Sequence, residues 1–204
     1  MQIITKHFSE LCNFDIMKKK DKDQCTYGKF IELFPYCTKE KQEDLLGRLR
    51  KQPRPKVLCG KDVPDNLSML TYGELDDMQT AASSDNPIEG TCKILLKIDP
   101  NLLLTEDVND VFGFSNFVTE EVKRINKIFS SIKPSYSREE RAAGVESLNF
   151  GSFGVLDWYA QRMHIANQNE VRNIAWVRIY QCMRNDNEKN EFERRLYQIY
   201  SKGK

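Results

Sequence analysis

The side chains most able to do chemistry here are six cysteines, at 12, 25, 37, 59, 92 and 182, and two histidines, at 7 and 164. No two cysteines have the spacing of a zinc knuckle, and His7, Cys12, Cys25 and Cys37 could meet only if the fold happened to bring them together. In a reducing compartment such thiols behave as small buried hydrophobes. Two histidines, one of them within the first ten residues, leave little from which to assemble a nucleophile and its base. His164 follows WYAQRM at an expected helix end, where it can cap the last carbonyls and favour the negative end of the dipole. The adjacent carboxylates Asp76–Asp77, Glu120–Glu121 and Glu139–Glu140 point about 100° apart on a helix, too far to share one ion or water unaided. No phosphate-loop, dinucleotide-glycine or paired-histidine zinc motif occurs. These residue types predict no catalytic centre, no cofactor and no metal.

The elements carrying these residues divide near residue 60. Residues 1–60 mix short apolar runs with lysine clusters and end in QPRPK, whose prolines enforce extended chain. This arm or small subdomain is irregular and partly helical, with helices expected at about 5–16 and, capped by Thr38, at 39–51. Residues 61–204 read as a helical domain, a compact bundle over about 63–201. Thr71 with Glu74 and Ser137 with Glu140 have capping-box spacing, and Asn167 with Glu170 is a weaker version. After Ser115, the apolar positions Val118, Val122, Ile125, Phe129 and Ile132 step by four and three, one helical stripe that Pro134 stops. Further helices are expected at about 138–148, 152–164, 169–185 and 188–201. Their short connections favour antiparallel neighbours.

The helix expected at 169–185 is apolar on almost every side, which suits burial or cover by a partner. Arg178 falls within that surface and would be costly to bury alone, so Asp157 is its expected counter-ion. The aromatic set Phe150, Phe153, Trp158, Tyr159, Trp176 and Tyr180 reads either as core or as a partner surface, since Trp, Tyr and Arg dominate interface hot spots. Gly151 and Gly154 relax the backbone between two helices rather than cradle a phosphate.

Thirty-one Lys and Arg against thirty Asp and Glu give a net charge of +1, unevenly distributed. Residues 48–61 carry six cations and no anion; residues 62–121 carry thirteen acids against Lys93 and Lys97; residues 122–204 return to fifteen cations against nine acids. Such blocks are either solvated surface or the complementary fields by which subunits recognise neighbours. No run approaches the roughly 18 apolar residues of a membrane span. The first twenty residues have the wrong order for a secretory signal, so a cytosolic product is expected.

The run EEVKRINKIFSSIKPSYSREERAAGVESLNFGSFGVLDWYAQRM, continued by NEVRNIAWVRIYQCMRNDNEKNEFERRL, resembles structural or morphogenesis proteins of tailed bacteriophages of Bacteroidetes hosts, including crAss-like phages. The resemblance covers about residues 111–200; the lead-in VPDNLSMLTYGELDDM is also similar, and residues 1–60 lie outside it. It implies a virion protein, a ring or connector subunit of the portal–tail complex, assembled in the host cytoplasm. Its partners would be further copies of itself and portal or tail components. A tail-assembly chaperone absent from the mature particle is one alternative. A nucleic-acid-binding role through the basic segment is another, with DNA a secondary partner. The residues expected to carry protein–protein contacts are Arg48, Arg50, Lys51, Arg54 and Lys56 in the basic segment and Trp158, Tyr159, Arg162, Trp176 and Tyr180 in the helical half.

Overall fold

Thr38 and the capping boxes Thr71–Glu74 and Ser137–Glu140 open helices as the sequence predicts. The computed structural model describes residues 25–84, 86–134 and 136–202, which excludes the helix expected at 5–16 and the residues His7 and Cys12. The fold is mainly α-helical. It divides into two compact units: one takes the chain up to Asp65 together with Ala81–Glu121, the other Asn66–Thr80 with Val122–Lys204. The described part of the expected arm, from residue 25, is grouped with Ala81–Glu121, and the chain passes between the units after Asp65, Thr80 and Glu121.

In the first unit, α1 (Tyr27–Leu33) and α2 (Lys39–Leu49) open on Thr26 and Thr38, whose side chains accept from the Lys29 and Lys41 amides. The start of α1 pairs with the segment before α6 (Val108–Ser130): Thr26 bridges Asp107, Tyr27 donates to the Glu106 carbonyl and Gly28 to that of Leu104. α2 ends under α6, where the Asn116 amide donates to the Leu49 and Gln52 carbonyls at 2.8 and 3.2 Å. That closes helix-end carbonyls which would otherwise lack partners. The extended QPRPK segment follows, and Gly113 of α6 passes so close that a Cβ there would overlap the Pro53 carbonyl oxygen. A hairpin of β1 (Val57–Leu58) and β2 (Lys61–Asp62) turns through Cys59 and Gly60, both with positive φ. Two left-handed residues between paired strands are the hairpin geometry that matches strand twist. Leu49, Leu58, Cys92, Leu103, Val108, Val111 and Phe114 form the fully buried centre, with Cys92 supplied by α4 (Pro87–Leu96) and Leu103 by α5 (Pro100–Leu103).

In the second unit, α3 (Tyr72–Ala82) carries the expected capping box, its Glu74 amide donating to Thr71 Oγ1 while the Thr71 amide donates to Glu74 Oε2, both at 3.1 Å. The later part of α6 presents the predicted stripe, with Ile125 fully buried and Phe129 set against Trp176 and Tyr180. α6 starts at Val108, not after Ser115, because Asp107 Oδ1 already accepts the Asn109 amide at 2.7 Å. The element expected at 138–148 is α7 (Arg138–Ala142) and a short 3-10 turn, separated at Gly144, whose φ is +83°. α8 (Gly151–Met163) ends in a left-handed His164, which caps through its own backbone amide on Ala160 and Gln161.

The two helices expected at 169–185 and 188–201 are divided differently. Residues Gln168–Asn173 form a 3-10 helix that Asn167 opens by accepting the Asn169 amide, in place of the weaker capping box. Ile174 and Ala175 then run extended beside Leu70–Tyr72, with Tyr72 donating to the Ile174 carbonyl and Trp176 to that of Leu70. From Trp176 one helix, α9, continues to Lys202. No Gly or Pro interrupts Asn185–Asn187, and the i,i+4 pairs Arg184–Glu188 and Lys189–Glu193 span that stretch.

Candidate interaction surface

The basic segment is only partly available to a partner. Arg48 pairs with Asp44 at 3.0 Å. Arg54 turns inward: its guanidinium donates to the Val63 and Pro64 carbonyls at 2.8 Å, pairs with Asp65 at 2.6 Å and lies 5.6 Å from the Phe117 ring centroid. It ties the proline segment to the chain beyond the hairpin. Arg50, Lys51 and Lys56 are exposed.

The aromatic set splits. Tyr159 and Trp176 are core residues, 1% and 2% exposed, and the Trp176 indole donates to the Leu67 carbonyl at 2.8 Å. Trp158 and Tyr180 are half-buried, the first edge-on to Tyr159, the second edge-on to Phe129. Arg162 Nε donates to both oxygens of Asp186, at 2.9 and 3.1 Å, which raises the pKa of the guanidinium and fastens α8 to α9. The expected Asp157–Arg178 pair does not form. Asp157 accepts instead from Gln161 and Gln168 at 2.6 and 2.9 Å, and Arg178 stands exposed, where water replaces a counter-ion.

Asp76 and Asp77 do what adjacent carboxylates were not expected to do. Both hold one cation, because the Arg172 guanidinium is wide enough to give Nη1 to Asp76 at 2.8 Å and Nη2 to Asp77 at 2.6 Å. The hydrogen bonds raise the pKa of Arg172, and its side chain fills the space a Cβ at Gly73 would need.

Phe150 and Phe153 are 70% and 62% exposed, beside Leu148 at 62%, on the approach to α8 and its first turn. Towards the end of α9, which the sequence reading did not single out, Phe192 is 56% exposed and Tyr197, Ile199 and Tyr200 are each more than 65% exposed. The only available signal was their spacing on a helix with charges around it. Between this helix and the entry to α7 lies a groove of about 930 Å³ lined by Tyr136, Ser137, Arg194, Arg195 and Tyr197 among others. At its edge the capping box of α7 joins α9: Glu140 accepts the Ser137 amide at 2.7 Å and the Arg194 guanidinium at 3.0 Å. The backbone bond first, and the guanidinium second, hold the Glu140 carboxyl below the usual range.

Among the described residues no group of three or more His, Cys, Asp or Glu side chains is placed to hold a metal ion, and no helix is long and apolar enough to cross a membrane. The buried thiols of Cys25 and Cys92 and the half-buried thiol of Cys59 are poor nucleophiles. Burial foremost, with Asp107 behind it for Cys25, Glu106 for Cys59, and Cys59 then Glu89 for Cys92, pushes all three up to about 12 from 9.0. At pH 8 that lowers the thiolate fraction on the order of a thousandfold. Alkylation by iodoacetamide, followed by mass spectrometry, should therefore label Cys59 and Cys92 at least about a hundredfold more slowly in the folded protein than in urea. Equal rates in the two states would overturn this account of the thiols.

Scanned against protein-family models, curated proteins and solved structures, the chain matches none.

Proposed function

We propose that this protein is a non-enzymatic structural subunit that works by protein–protein assembly. The observation that carries the reading is the amount of aromatic and aliphatic surface left to solvent in the second unit, at Leu148–Phe153 and at Phe192–Tyr200. Large side chains grouped in this way are costly to leave wet and mark surfaces that a partner covers. Anchors of this kind, Phe and Tyr beside Arg194 and Arg195, are the types that dominate binding energy in interfaces.

The finer reading rests on the resemblance of residues 111–200 to tailed-phage morphogenesis proteins: a ring or connector subunit of the portal–tail complex, assembled in the host cytoplasm and retained in the virion. Quantitative mass spectrometry of purified particles tests it by counting copies of this chain per portal protein. A fixed ratio equal to the portal's symmetry, or a simple fraction of it, is expected. Abundance in infected cells with absence from mature particles would replace the connector with an assembly chaperone.

A further inference from the structure

We propose that four cations of the first unit, Arg50, Lys51, Lys56 and Lys61, bind the phosphate backbone of a nucleic-acid duplex without reading its sequence. Residues 48–61 carry six cations and no acid. Two of the six are engaged within the chain: Arg48 pairs with Asp44, and Arg54 is taken up by Asp65 and the Val63 and Pro64 carbonyls. The other four are exposed, and among the described residues none of them has an ion-pair partner.

The backbone beneath these four is held in place. Arg50 and Lys51 follow the last turn of α2, where Asn116 binds the Leu49 and Gln52 carbonyls, and Pro53 lies against Gly113. Lys56 and Lys61 stand on the two strands of the hairpin. Lys61 is registered with Leu58, and the Val63 amide donates to the Lys56 carbonyl, so the two lysines are diagonal neighbours about 7–8 Å apart on one face. Asp62, the nearest acid in the chain, is registered with Val57 on the other face. The five residues from Lys51 to Lys56 span at most about 18 Å. All four cations can therefore meet phosphates of one duplex, which carries a charge every 1.7 Å or so of its axis. Groups fixed in advance lose little freedom on binding.

Composition selects the ligand. Residues 48–61 contain no aromatic side chain, and Val57 is their one exposed large apolar residue. A protein interface is built on an apolar centre from which lysine is depleted, and a single strand is held by rings that stack on its bases. A duplex backbone asks only for placed cations, and contacts to it carry no sequence information. The dipole at the end of α2 accounts for Arg50 and Lys51 alone, because it fades within the last turn and leaves Lys56 and Lys61 unexplained. The inference does not rest on the assembly reading, which is carried by the second unit.

Fluorescence anisotropy of the full chain with a labelled DNA duplex of about 20 base pairs tests it. Four phosphate contacts give a log–log salt slope of about −3.6, so a micromolar affinity at about 50 mM salt should fall about fiftyfold by about 150 mM. A duplex of shuffled sequence and the matching RNA duplex should bind within about threefold of the first. Lys56→Gln with Lys61→Gln, and separately Arg50→Gln with Lys51→Gln, should each reduce the slope by about 1.8 and weaken binding at least about tenfold. All four side chains are exposed, so the urea midpoint should not move. Lys133→Gln with Arg178→Gln, at exposed positions in the second unit, lowers the net charge equally and should leave binding within about twofold. No binding at low salt up to about 0.1 mM protein, a slope near zero, or a tenfold change on shuffling would overturn the proposal. So would a control variant that loses as much as either basic one. Tighter binding to polyglutamate than to the duplex would also overturn it and make an acidic protein the partner.

Discussion

Gly113→Val is expected to unfold the first unit or to leave it marginal, while Gly47→Ala, in the same unit, should make it more stable. Both glycines lie inside helices, α6 and α2, where exchanging Gly for Ala gains about 1 kcal/mol from backbone propensity alone. Their surroundings reverse the outcome. Nothing lies within 4 Å of a Cβ added at Gly47. A Cβ at Gly113 would overlap the Pro53 carbonyl oxygen, and that backbone cannot give way cheaply. Asn116 pins the Leu49 and Gln52 carbonyls just before it, Arg54 anchors the residue just after it, and Val111 and Phe114 beside Gly113 are fully buried. Overpacking a constrained site costs about 1–3 kcal/mol and sometimes more, a large share of a total stability of roughly 5–15. Urea titrations followed by circular dichroism should show the Gly113→Val midpoint well below wild type and the Gly47→Ala midpoint above it. If Gly113→Ala raised the midpoint as Gly47→Ala does, the close approach of α6 to the proline segment would not exist in the folded protein.

Gly113 also marks the limit of what the sequence discloses. Local signals transfer well: a hydroxyl with an acid three residues on opens α3 and α7, and the four-and-three stripe through Ile125 forms the buried line of α6. Each such signal lies within about one or two helical turns. Gly113 matters through Pro53, sixty residues away, and nothing in VFGF announces which backbone will approach it. Likewise the break at Ile174–Ala175 is made by pairing with Leu70–Tyr72, a partner a hundred residues earlier, and not by Gly or Pro at the break. Two of the candidate interaction residues, Tyr159 and Trp176, lie in the core for a related reason. Trp, Tyr and Arg are equally the residues of hot spots and of cores, so composition selected Tyr159 and Trp176, whereas exposure, which only the fold decides, selects Phe150, Phe153, Phe192 and Tyr200.

Trp176→Ala should therefore damage the second unit rather than its contacts with partners. The indole is 2% exposed, lies 5.8 Å from the Phe129 ring centroid and donates to the Leu67 carbonyl. Its own backbone amide, donating to Leu70, fastens the first turn of α9 to the segment leading into α3. Truncating a buried aromatic of this size costs about 3–5 kcal/mol in transfer and cavity terms. Trp176→Phe keeps most of the apolar volume and removes the indole's bond to the Leu67 carbonyl, which still accepts the Leu70 amide, a loss of about 0.5–1.5 kcal/mol. The order wild type, Trp176→Phe, Trp176→Ala is thus expected in urea midpoint. A Trp176→Ala protein of unaltered midpoint would overturn this account and return Trp176 to an interface. The expected order places its role in holding α9 against Asn66–Tyr72, and so in fixing the root of the helix whose far end carries Phe192, Leu196 and Ile199.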